Sequence, residues 1–136
     1  MVLKFVENPE VKGAEVASLR ESVGWDSRRV QMEKIIGSSF IAAACFDGDL
    51  LVGHVDVISD GIDDALVRSL IVRPTYQGRG IGRELLRIII NRLREKKIKT
   101  ISVLFEHELA NFYHRAGFRV VGGGIIDTEE EGFDCR

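Results

Sequence analysis

The stretch Leu66 to Ile90, LVRSLIVRPTYQGRGIGRELLRIII, constrains the fold more than any other part of this chain. An apolar run comes first, Arg73-Pro74 breaks it, and the glycine-rich turn Gln77-Gly78-Arg79-Gly80-Ile81-Gly82 feeds a long amphipathic pattern. Glycine tolerates positive φ and lets a ligand come close to the backbone. A helix beginning at such a turn aims several unpaired N–H groups and the positive end of its dipole at one spot. That arrangement suits an anion, with a phosphate or pyrophosphate as the expected guest and Arg79 and Arg83 adding charge beside it. A glycine-rich helix entry with no ligand is the plain alternative.

Two phosphate-binding loops do not fit the spacing. A P-loop needs Gly-x4-Gly-Lys-Ser/Thr, and Gly-Lys-Ser/Thr occurs nowhere in the chain. A dinucleotide fold needs Gly-x-Gly-x-x-Gly after its first strand, with an acidic residue about 20 positions on. Here the spacing is Gly78-x-Gly80-x-Gly82, the stretch lies mid-chain, and Thr100 or Ile101 stands at the acidic position. The pattern Gln77-x-x-Gly80-x-Gly82, preceded by Val72-x-Pro74, instead resembles the acyl-coenzyme A loop of the GCN5-related N-acetyltransferases (GNAT).

The totals restrict the setting. At 136 residues, 45% hydrophobic and 29% charged, the chain reads as one ordinary globular domain over 1–136. No apolar run approaches the ~20 residues of a membrane helix. Met1 to Phe5 lacks the apolar core of a signal peptide, so neither a membrane nor export is expected. Cys45 and Cys135 make no disulfide framework, and a reducing cytoplasm is the expected compartment. A net charge of −2 argues against a nucleic-acid partner. The cations from Arg79 to Lys99 read mostly as a solvated helix face, and the acidic residues from Asp127 to Asp134 as a frayed tail.

In chain order, Val2 to Val6 reads as an edge strand, and Asn8-Pro9-Glu10 as the start of a helix running to Val23 before Gly24. Asp26 or Ser27 is expected to cap a second helix to about Ile36. Strands follow over Phe40–Phe46, Leu50–Ile58 and Ala65–Val72, the first two joined by the hairpin signal Asp47-Gly48. From Arg79 to Lys96, Ile81, Leu85, Ile89 and Leu93 oppose a polar stripe at helical spacing. Lys99–Leu104 closes a strand–helix–strand unit. A short helix, Leu109–Ala116, ends at Gly117, and strands are expected over Phe118–Val121 and Ile125–Thr128.

The helix segment carries a second motif. Phe112-Tyr113-x-x-x-Gly117-Phe118 resembles the last helix of the same acetyltransferases, about 30 residues after the loop and in the family's order. The resemblance covers about Ile41 to Val121. It implies an α/β fold with a mixed, mostly antiparallel sheet of six to seven strands and helices on both faces. It also implies acetyl-coenzyme A as cosubstrate and no metal. The backbone of Leu70, Ile71 and Val72 would take the pantetheine arm where two strands splay. Gln77 and the N–H groups from Gly78 through Arg79, Gly80, Ile81 and Gly82 to Arg83 would take the pyrophosphate. Tyr113 matches the tyrosine that protonates the departing sulfur; read by itself it is more simply a core aromatic with a satisfied hydroxyl.

Glu106 stands seven positions before Tyr113, where many members have an asparagine that binds pantetheine. An acid there could bind the acceptor, act as base through a water, or be solvated. For the general base Glu106 ranks first and Asp56 second, with His54 and His107 more simply structural or surface groups. Cys45 reads as core, and no cluster has the spacing of a zinc site. Trp25 either caps the core or forms a wall for an amine, and Arg68 and Asp64 are candidates to face the substrate. The expected function is acetyl transfer to a primary amine of a small molecule by direct attack. A protein N-terminus or lysine is the alternative acceptor, a coenzyme A-binding module without turnover the alternative class, and a homodimer an open possibility.

Overall fold

The computed structural model describes residues 2–129; Cys135 and the acidic residues Glu130, Glu131 and Asp134 lie outside the described residues. By their contacts the residues fall into two compact units, 1–103 and Leu104 onward. The first unit is a five-stranded sheet in the order β1 (Leu3–Glu7), β2 (Ile41–Asp47), β3 (Leu50–Ser59), β4 (Asp64–Val72), β5 (Thr100–Val103). The first four strands pair antiparallel, and β5 joins β4 in parallel across the helix α3 (Ile81–Glu95). The expected strand–helix–strand unit is therefore present.

Helices cover both faces of this sheet. On one side α3 buries Ile81, Leu85, Leu86, Ile89 and Leu93. Burying a side chain of that size stabilises by about 1.5–3 kcal/mol, which is enough to fix the helix's rotation. Gly53 of β3 is its closest floor: a Cβ there would lie 3.0 Å from Ile81 and 3.1 Å from Leu85. On the other side α1 (Gly13–Ser22) and α2 (Arg29–Ile35) place Val16, Ala17, Leu19 and Met32 against Ala44, Leu51 and Ile71. Among its described residues the second unit holds one α-helix, α4 (Ala110–Arg115), entered through a single tight turn at His107–Leu109.

Three expectations are corrected. Asn8 does not cap α1; with φ 49° its side chain accepts from the Ala42 amide at 3.0 Å, so it extends the β1–β2 pairing. The helix starts four residues beyond Pro9, at Gly13, where Glu15 accepts from the Lys12 amide at 3.1 Å. Likewise Asp26 closes a tight turn on the Arg28 amide rather than capping α2, which begins at Arg29. Finally, the described residues form a sheet of five strands, not six to seven. Phe118–Val121 and Ile125–Thr128 form no strand, and Val120, Val121, Ile125 and Ile126 stay exposed. Their β-branched composition satisfies β propensity, but a strand also needs a ladder partner and a face to bury.

Candidate active site

β4 and β5 part company in the middle of β4. Their register runs from Asp64 opposite Thr100 to Val67 opposite Val103, and β4 continues alone from Arg68 to Val72. The break coincides with a bulge. His54 faces Ile71 and Asp56 faces Arg68, so Ser69 and Leu70 together stand opposite Val55, and Ser69 takes φ 54°. A bulge of this kind bends the strand and frees backbone groups from the ladder. Arg73 N–H donates to the Val52 carbonyl at 2.8 Å, so by antiparallel alternation Ile71 faces β3 and Val72 turns away from it. The Val72 carbonyl accepts from the Gln77 side-chain amide at 2.9 Å, which agrees with that direction. Ile71 differs from its neighbours: its side chain is core and its backbone belongs to the β3 ladder. The free edge is thus carried by Leu70 and Val72.

The chain then turns through Pro74–Tyr76 into the glycine loop. Gly78 and Gly80 take φ 80° and 81°, in the left-handed region that L side chains rarely adopt. A Cβ at either would meet nothing within 4 Å, so the loop backbone lies open. Gly80 caps α3, and the first helical bond is from the Glu84 amide to its carbonyl at 3.0 Å. The amides of Ile81, Gly82 and Arg83 are left without intrahelical acceptors. Glu84, the acid of this first turn, is held by Arg87 at 2.8 Å, which lowers its pKa. Tyr76 anchors the loop, its hydroxyl bonded to Asp47 and its ring 5.4 Å from the Arg79 guanidinium. An open cradle, the amides at the start of α3 and two arginines fit the phosphates of a coenzyme A-like molecule.

A polar row crosses the α1/α2 face of the sheet. Directly paired residues share a face, and His54 sits between Ala44 and Ile71, both packed with α1 and α2. Asp56, two residues on, receives Arg68 Nε and Nη2 at 3.0 Å each and the Ser39 hydroxyl at 2.7 Å. The fork between a planar guanidinium and a carboxylate is among the stronger polar contacts. Asp56 is 6% exposed by its side chain and Arg68 30%. His54 is buried with Nε2 unpartnered among the described residues, and burial lowers its pKa although Asp56 opposes the shift. Trp25 is exposed, and the Arg20 guanidinium lies 5.2 Å from its ring centroid, so one cation is already in place there.

In the second unit Tyr113 is enclosed by its own aromatic neighbours. It stacks on Phe105 at 4.7 Å and meets Phe112 and Phe118 edge-on at 5.0 and 5.8 Å. Its hydroxyl makes no hydrogen bond to the described residues, and burial pushes its pKa up. It is a phenol held protonated at neutral pH. Glu106 is exposed, with its backbone carbonyl starting the turn into α4.

The structure brings Asp56 to Arg68 and Gln77 to Val72, pairings that motif spacing does not announce. Sequence reading also missed the bulge at Ser69, the buried orphan nitrogen of His54 and the part of Ser39. A positive φ at serine leaves no local signal. The alternation of His54 and Asp56 with Val55 and Val57 is a local signal, since alternate residues of a strand share a face.

Comparison with known proteins converges on one family. A family model described as an acetyltransferase (GNAT) domain matches residues 37–120. An uncharacterized N-acetyltransferase, ycf52, of Gracilaria tenuistipitata var. liui is 33% identical over 123 residues, covering 87% of this chain and 68% of that one. Histone acetyltransferase TAP1 of Glycine max is 25% identical over 133 residues, covering 89% and 55%. Among solved structures, a GNAT family acetyltransferase from Streptococcus pneumoniae TIGR4 superposes with a TM-score of 0.78 at 26% identity, covering 95% of this chain and 100% of that one. An aminoglycoside N-acetyltransferase, AAC(6')-Iy, solved in complex with CoA, shares the fold alone at 13% identity, with a TM-score of 0.70 over 93% of each chain.

Proposed function

This chain belongs to the GNAT acetyltransferase family and is an acyltransferase, and we propose that it moves an acetyl group from acetyl-coenzyme A to a primary amine of a small molecule by direct attack. The observation that carries the reading is the continuity of backbone: a strand that β5 leaves after Val67, with the Leu70 and Val72 backbone turned from β3, runs into a helix start whose first three amides have no intrahelical acceptor. Acetyl-coenzyme A would supply the activated thioester. The Leu70 and Val72 backbone would hold its arm, with an amide at the bulge polarising the thioester oxygen. The Gly80, Ile81, Gly82 and Arg83 amides would hold the pyrophosphate, with Arg79 and Arg83 adding charge. Gln77 contributes indirectly, by fixing the Val72 carbonyl.

Tyr113, carried over from the family motif, would give its proton to the departing sulfur; burial keeps the phenol protonated, and its hydroxyl has no hydrogen-bond partner among the described residues. Glu106 is the better of the two base candidates, since it is exposed while both Asp56 oxygens are committed to Arg68 and Ser39. A single domain working in the cytoplasm goes with this reading. The relative that acetylates histones, by its name, keeps a protein acceptor as the second reading. Calorimetric titration of acetyl-coenzyme A, then thiol-release assays on amine and peptide panels, tests both. Absence of binding removes the proposal, and turnover confined to peptides replaces it with the second.

A further inference from the structure

The polar row on the α1/α2 face has features that the acetyl-donor half of the reaction leaves unused. Arg68 is the last residue of β4 paired to β3 before the bulge at Ser69 and Leu70, so it stands beside the point where the free edge begins. Asp56 opposite it has both oxygens bonded and its side chain 6% exposed, so it faces Arg68 and Ser39 and offers little surface to an incoming molecule. Arg68 is 30% exposed, and its Nη1 makes no bond to the described residues. What this face offers an acceptor is therefore a guanidinium already fixed in orientation, with donors to spare. A planar fork held by a carboxylate loses little freedom on binding and matches a second carboxylate in geometry.

The other end of the row agrees. His54 Nε2 is buried between Ala44 and Ile71 on the face that α1 and α2 cover, with no partner among the described residues. A buried nitrogen left unbonded is costly, and a polar ligand or a water completes it. The row thus combines an outward cation with an unsatisfied polar atom behind it. A cationic acceptor such as a polyamine meets like charge here, and a purely apolar amine leaves the guanidinium donors unmatched.

We propose that Arg68, held by Asp56 and Ser39, reads a carboxylate on the acetyl acceptor, making the acceptor class small amino acids with a free primary amine. The inference rests on the acetyltransferase reading above. In the reaction the amine nitrogen bonds to the acetyl carbon as the C–S bond breaks. One amine proton leaves to a base, the thiolate takes up a proton, and the products are an N-acetylamino acid and free coenzyme A.

The test measures acetyl-coenzyme A binding by calorimetry and thiol release with matched acceptors: L-amino acids, β-alanine and 4-aminobutyrate against their amides and against n-propylamine. Wild type is expected to prefer the acids. Arg68→Lys keeps the charge opposite Asp56 but loses the fork, and Asp56→Asn/Arg68→Gln removes both charges without stranding either. Both variants should lower the acid-to-amine ratio of kcat/KM, by roughly 10- to 100-fold in the double variant, through KM more than kcat. Acetyl-coenzyme A affinity should persist in both. If the double variant does not fold, Arg68→Lys decides alone. Binding with equal use of acids and amines, or an unchanged ratio in the variants, overturns this inference and leaves the acetyltransferase reading standing. No binding of acetyl-coenzyme A by wild type overturns both.

Discussion

The run from Leu70 to Arg83 and the row Ser39–His54–Asp56–Arg68 are built on opposite principles. The first is made of backbone: free strand groups, two glycines at positive φ and the unpaired amides of a helix start. The second is made of side chains whose meeting depends on strand register. A site made of backbone needs particular residue types only where the main chain must take an unusual shape, so it leaves a short, local signature. A site made of side chains depends on which residues the fold sets opposite each other, and leaves almost none.

Side-chain chemistry should give the sharpest response. Tyr113→Phe keeps the aromatic packing and removes the proton, so kcat should fall by about 10²–10⁴-fold while acetyl-coenzyme A affinity holds. Unchanged turnover in a stopped-flow or thiol-release assay would show that the phenol is only core. The backbone region should respond in binding instead. Gly80→Glu forces a side chain into the left-handed region and puts a carboxylate at the anion site, with open space around the new Cβ. Acetyl-coenzyme A binding should weaken on the order of 100-fold with the circular dichroism spectrum retained. If affinity survives, the loop is a helix entry and the contrast between the two regions collapses.

His54 sharpens the contrast through pH. Burial lowers its pKa below the usual value of 6.5, so below that pH the unfolded chain binds more protons than the native one. Stability should therefore fall as pH drops from about 6.5 toward the native-state value. Thermal unfolding at pH 7.5 and pH 5 should show a drop that His54→Leu reduces; equal drops in both proteins would mean the imidazole is hydrated in the native state. The smallest effect is expected from Gln77→Ala. Losing one exposed side-chain bond to Val72 is worth about 0.5–1.5 kcal/mol, or roughly a 2- to 10-fold loss of acetyl-coenzyme A affinity. A larger loss would move Gln77 into direct contact with the cosubstrate.

Much of this was legible before any coordinates. The spacing of Ile81, Leu85, Ile89 and Leu93 gave α3, Pro74 and the glycines placed the turn before it, and Asp47-Gly48 marked the central hairpin. These signals are local: helix period, fixed proline φ and glycine's left-handed freedom act within a few residues. The same local logic failed where a distant partner outbid it. Asn8 bonds to Ala42 instead of capping a helix, and the valines and isoleucines after Gly117 find no strand to pair with.

What the sequence by itself determined is the loop, its helix and the family they point to, because backbone geometry there is dictated by residues that are neighbours in the chain. Only the tertiary structure decided that β4 outruns β5, that Ser69 bulges, and that Asp56 bonds to Arg68 and Ser39. Those outcomes depend on cross-strand register, and a shift of one residue would send every one of these side chains to the other face.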